Sequence, residues 1–263
     1  MRSISLILTF TLLILSCSKN SSSSESSDIS TPLFCGIDTT FVLSLPAVDI
    51  ARYSDCRYLV AGIYGAEIMD EVGNLLPSWE DNAMKIPAVP STRGFSPTSD
   101  GGYLTTYIDF VSKSSPPDAP GNGWTWFIPS FQAPHYVNDA IETSDGDFVA
   151  VGWISGDPGT GGHNQKGQAF IARLSDGGTL QWIKRFGQLN TPKDTFWEVV
   201  EADDGGIVAV GSKLEDREFY FYDHFWFLKV DSDGNQVWSR EIGTNDRYDM
   251  AFDVIKMPDG GFA

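Results

Sequence analysis

Three cysteines, three histidines and 35 aspartates and glutamates are the groups with chemistry to offer in this chain of 263 residues. His135, His163 and His224 are scattered, and no Cys–His spacing matches a metal site, so no metal centre is expected. With so many carboxylates, close pairs arise by chance, and no pair stands out as an acid and base for glycoside hydrolysis. No catalytic residue and no cofactor is assigned. Asp231, Asp233 and Asn235 alternate as calcium ligands do, but the bidentate Glu of a calcium loop is missing, and Asp-Gly-Asn reads first as a hairpin turn. The stretch 155–168 (SGDPGTGGHNQKGQ) gathers Asp157, His163, Asn164 and Lys166 in a long polar loop. It is the candidate binding loop, and an insertion without a ligand is the equal alternative. The aromatic run 219–227 (FYFYDHFWF) could stack on sugars or peptides, although such runs more often pack both faces of a strand.

The elements that must position these groups are read from internal repetition. A turn-plus-strand unit recurs at Ser54-Asp55-Cys56, Ser99-Asp100-Gly101, Ser144-Asp145-Gly146, Asp203-Asp204-Gly205 and Pro258-Asp259-Gly260, each followed by an apolar run. Asp-Gly between apolar runs is a strong hairpin signal, because glycine supplies the positive φ of a tight turn. A short apolar segment precedes most of the turns, as in Val137-Asn138-Asp139-Ala140 and Phe196-Trp197-Glu198-Val199. Two more follow, with 171–182 (IARLSDGGTLQW) aligning with 227–238 (FLKVDSDGNQVW). A divergent version at 68–76 has Pro77 where the others have Trp182 and Trp238, and the outer strands of the copy around Tyr103 are blurred through 112–122. Four short antiparallel strands in each unit of roughly 45–60 residues predict an all-β fold, a β-propeller of four-stranded blades. Four repeats and the start of a fifth are visible over residues 33–263, which reads as a propeller cut short at its C-terminal end; a genuine four-bladed ring is the alternative. Trp182 and Trp238 are expected at equivalent buried positions.

This pattern resembles the secreted β-propeller repeats of bacterial surface and outer-membrane lipoproteins over about residues 41–263. The resemblance implies an architecture and a compartment, and leaves the chemistry unassigned. The Gly234-x-x-x-Trp238 ending is similar to the tryptophan motif of quinoprotein dehydrogenase propellers, where the indole staples neighbouring blades. Its Asp-Gly spacing departs from the Asp box of sialidases.

Residues 1–16 combine Arg2 with a short apolar run, too short for a comfortable membrane span. They end in Ile14-Leu15-Ser16-Cys17, which resembles the lipobox of bacterial lipoproteins and makes Cys17 the candidate lipid-attachment residue. An ordinary secretory signal is the alternative. Residues 17–32 are a Ser-rich tether that cannot bury enough apolar surface to fold. By analogy with lipoprotein sorting, Ser18 implies the outer membrane, facing either the periplasm or the outside. With Cys17 set aside, Cys35 and Cys56 remain as an even pair in an oxidising compartment. A bridge between them would close a loop of about 20 residues and contribute roughly 3 kcal/mol; two unrelated thiols is the alternative. A formal charge of −17, from 18 basic and 35 acidic residues, argues against nucleic acid. The expected function is a lipid-anchored envelope propeller that binds or scaffolds protein or glycan partners. A lectin-like glycan binder or a hydrolase using the central face is the alternative.

Overall fold

The computed structural model describes residues 47–54, 57–62, 65–70, 74–76, 93–115, 121, 123–129, 135–155, 167–188, 194–217, 220–244 and 249–263. Contacts divide the chain into two units, Met1–Ala88 and Val89–Ala263. The first holds one antiparallel sheet of β1 (Ala47–Ser54), β2 (Arg57–Gly62), β3 (Gly65–Met69) and β4 (Leu75–Leu76), paired in that order. Asp70 closes the turn between β3 and β4, accepting Asn74 N at 2.7 Å and Asn74 Nδ2 at 3.0 Å.

The second unit holds three such sheets, each a meander in chain order. The first is β5 (Phe95–Pro97), β6 (Tyr103–Thr106), β7 (Phe110–Ser114) and β8 (Trp124–Phe127). The second is β9 (His135–Glu142), β10 (Phe148–Ser155), β11 (Gly167–Leu174) and β12 (Leu180–Phe186). The third is β13 (Thr195–Glu201), β14 (Ile207–Arg217), β15 (Tyr220–Val230) and β16 (Gln236–Ile242). A bridge between Lys256 and Phe262 adds a short hairpin after them. The copy that looks blurred in sequence is therefore a complete sheet. No helix occurs among the described residues.

Burial explains why β10 reads as an unbroken apolar run. Alternate residues on a strand point to opposite faces. Phe148, Ala150 and Ile154 pack with Leu104, Val111 and Trp126 of the first sheet. Val149 and Val151 pack on the other side with Phe196, Val199, Ile207 and Trp226 of the third. Both faces of the middle sheet are thus covered, and every residue of β10 is buried. Ala202, Val208 and Val210 pack in turn with Val254 of the final segment. Each fully buried large side chain in these layers contributes about 1.5–3 kcal/mol.

The recurrent Val-Gly at the end of the second strand has a separate cause. The innermost strands are bulged: the β9–β10 register jumps between Val151 and Gly152, leaving Asn138 unpaired. The β13–β14 register jumps in the same way and leaves Trp197 unpaired. A Cβ on Gly152 would lie 1.9 Å from the Tyr136 carbonyl oxygen, and one on Gly211 would lie 2.0 Å from that of Thr195. The bulges close only against glycine.

Candidate functional site

Because the strands alternate in direction, each sheet of the second unit has a turn end and a loop end. The turn end carries the Asp-Gly hairpins, and several of its polar groups hold the hairpins together. Arg173 is buried and reaches Asp145 at 2.5 Å and Asp147 at 2.9 Å. Lys113 reaches Asp100 at 2.5 Å and Lys229 reaches Asp204 at 2.6 Å at equivalent positions of the flanking sheets. A hydrogen bond from the Thr143 hydroxyl, followed by the Arg173 charge, holds the Asp145 carboxyl below the usual carboxylate range. Tryptophans bridge from sheet to sheet. Trp124 Nε1 donates to the Asp176 carbonyl at 3.1 Å, and Trp182 Nε1 to the Ser232 carbonyl at 3.3 Å. A Cβ on Gly178 would strike the Trp124 ring at 2.4 Å, and one on Gly234 the Trp182 ring at 2.8 Å. Each indole therefore lies on the positive-φ glycine of the next sheet's turn.

The loop end is different. There β14 and β15 run on as a long hairpin, paired as far as Arg217 and Tyr220. Asp194 is fully buried at the start of β13, where its two oxygens accept Leu214 N and Gln188 N, each at 2.9 Å. Burial pushes its pKa up to about 6 against those hydrogen bonds and the charge of Lys213. Asp223, opposite Leu214 on β15, is 6% exposed. Burial raises its pKa to about 6, with the His224 charge acting against the shift. No donor reaches its carboxylate among the described residues. The buried Nε2 of His224 likewise has no partner among the described residues. Strand register aligns Asp223 and His224 with Gly167 and Gln168 of the preceding sheet, and Gln168 satisfies itself by donating to the Gly187 carbonyl at 3.0 Å. The third sheet thus carries two ionisable groups that its neighbour does without. Near the inner edge at this end, Arg93 lies 4.3 Å over the Tyr136 ring and donates to Asn138 Oδ1 at 3.1 Å. Asn138 Nδ2 donates to the Phe196 carbonyl at 2.6 Å, and Trp197 packs on the exposed Phe252 with ring centroids 5.6 Å apart.

No family model matches the chain, and no curated protein matches it. Distant resemblances to solved structures do exist. An extracellular domain from B. thetaiotaomicron, assigned to the hybrid two-component system BT4673, is 8% identical at a TM-score of 0.44 and covers 81% of this chain. The calcium-binding protein regucalcin from Agrobacterium tumefaciens is 14% identical at a TM-score of 0.43 and covers 80%. PorZ, a surface component of the type-IX secretion system of Porphyromonas gingivalis, is 12% identical at 0.36 and covers 74%. The matches span 25%, 66% and 34% of those three chains.

The residues singled out from sequence fall unevenly on this geometry. Cys17, Cys35, Cys56, Asp157, His163, Asn164 and Lys166 all lie outside the described residues. The last four fall in the chain between β10 and β11. The Asp231–Asn235 run is a turn: Asp231 accepts Asn235 N at 2.7 Å and Asp233 N at 3.0 Å. Trp182 and Trp238 do occupy equivalent register positions, opposite Arg173 and Lys229. They are half-buried and not fully buried as expected; the Trp182 indole lies across the Gly234 turn, and Trp238 packs at the margin of the cluster of Val208, Val210 and Val254. Of the aromatic run, Trp226 is core, donating from Nε1 to Ser239 Oγ at 2.9 Å. Sequence reasoning missed Trp124, Asp194 and Asp223. Trp124 follows a Pro- and Ser-rich stretch that hides its strand. A signal for Asp194 existed in an aspartate following the equivalent glycines Gly187 and Gly243 at similar though unequal distances, Asp194 and Asp249, the second of which repeats the linker contact through Thr244 N at 3.2 Å.

Proposed function

We propose that this chain is a lipid-anchored β-propeller of the bacterial cell envelope, acting as a non-catalytic binding or scaffolding module. Its partners, proteins or glycans, are met at the loop end of the blades. Sheets covered on both faces and stapled by matching tryptophans support the propeller reading. The lipobox-like Ile14-Leu15-Ser16-Cys17 and the Ser-rich tether after it support the anchor.

The observation that carries the functional reading is Asp223. Asp223 is buried and no described residue donates to its carboxylate; burying a carboxylate costs stability, and such groups concentrate where function requires them. The preceding repeat has glycine at that place, so the fold itself does not require the charge. The turn-end carboxylates, by contrast, are held by Arg173, Lys113 and Lys229.

One experiment with two arms tests this reading. The purified chain, and a variant with residues 156–166 replaced by a short Gly-Ser loop, are applied to a glycan array and to hydrolysis assays on the same glycans. Binding that depends on the native loop, without turnover, is expected; turnover of any glycan would replace the module with a hydrolase. In the second arm, labelled palmitate should enter the wild-type chain and not Cys17→Ala. Absence of label from wild type would remove the anchor.

A further inference from the structure

The three turn-end junctions of the second unit are built from equivalent positions, and they differ in polarity. At the first, Ser99 donates from its backbone N and, at 2.8 Å, from Oγ to the two carboxylate oxygens of Glu142, the last residue of β9. At the second, Ser144 does the same to Glu201, the last residue of β13, at 2.7 and 2.9 Å. At the third, the serine position holds Asp203 and the glutamate position holds Lys256. The contact becomes an ion pair, Lys256 Nζ to Asp203 Oδ1 at 2.8 Å. Both members have changed together, and either change alone would fail. An aspartate cannot donate from its side chain to a glutamate, and a serine facing a lysine leaves no carboxylate to receive its two donors.

We propose that the polarity of these latches orders the repeats: the turn of the third sheet favours a following segment that places a cation at the position of Lys256. A glutamate at position 256, the residue of the other two junctions, would face both Asp203 and Glu201. Lys256 feels both, since its pKa is raised first by the hydrogen bond and charge of Asp203 and then by the charge of Glu201. Repeats built from nearly the same hairpin are at risk of stacking in the wrong order or exchanging strands between copies. A like-charge clash at a mismatched junction acts against such arrangements, as repulsive elements do in specific interfaces generally.

The test converts one latch into the other kind. In the first junction, Ser99→Asp and Glu142→Lys should each lower the thermal midpoint by about 2–4 °C. The double variant should return to within about 1 °C of wild type. In the third junction, Lys256→Glu should lower the midpoint, and Asp203→Ser with Lys256→Glu should recover it. These side chains lie at or near the surface, so the variants are expected to fold. Restoration in both doubles supports the ordering device. Losses that simply add in the doubles, or single variants indistinguishable from wild type, would overturn it.

Discussion

The two buried carboxylates of the loop end place opposite demands on the protein at neutral pH and in mild acid. Asp194 and Asp223 have folded pKa values of about 6, against about 3.9 for an aspartate in an unfolded chain. Folding therefore favours their protonated forms. Their contribution to stability is greatest below about pH 4 and is lost as pH rises toward 6. The turn-end carboxylates Asp145 and Asp204 are shifted downward, and what they contribute is lost only as pH falls through the acid range below 4. The thermal midpoint of the wild-type chain should thus be higher at pH 5 than at pH 7.5, by a few degrees, and fall again below about pH 4. A midpoint that drops steadily from pH 7.5 to pH 5 would show that neither group is buried as described. Lys213 and Glu241, which pair with each other, act on Asp194 from β14 and β16 with opposite signs, Lys213 lowering its pKa and Glu241 raising it.

At the scale of the element, much was legible in the sequence, and what was not has a physical reason. The Asp-Gly turns mark hairpins wherever glycine must take positive φ, and the structure has Gly146, Gly205 and Gly260 there at φ of 87°, 74° and 82°. The apolar runs of β10 and β14 mark strands covered on both faces. The bulges at Asn138 and Trp197 leave no trace in hydrophobic pattern, because one extra residue changes register without changing composition. Their signature is the glycine opposite, Gly152 or Gly211, which a propensity argument reads only as a weak point in a strand. Replacing Gly152 by Ala should cost at least about 3 kcal/mol, since the added methyl meets main chain and not a flexible side chain. Urea unfolding checks it; a loss under about 1 kcal/mol would mean that β9 shifts easily. The buried carboxylate of Asp223 was hidden for another reason. Among 35 acidic residues, Asp223 carries no mark in sequence that sets it apart, since only packing buries it, whereas Asp194 is marked by the glycine upstream of it.

For the second unit taken whole, the two ends of the sheets divide the work. The turn end joins repeat to repeat through indoles, serine–glutamate clamps and a cation on each hairpin, so little at that end is left for a partner. The loop end carries the long β14–β15 hairpin and a carboxylate held in the interior against its chemical preference. Proteins keep such groups where activity or binding needs them and are commonly stabilised when they are removed. The most direct test is the thermal unfolding midpoint of Asp223→Val beside wild type at pH 7.5. Valine fits a β-strand and removes a buried charge without leaving a polar group behind. The midpoint should rise by about 2–6 °C. A fall of that size would mean that Asp223 stabilises the fold, and the case for the loop end as the binding face would lose its main support.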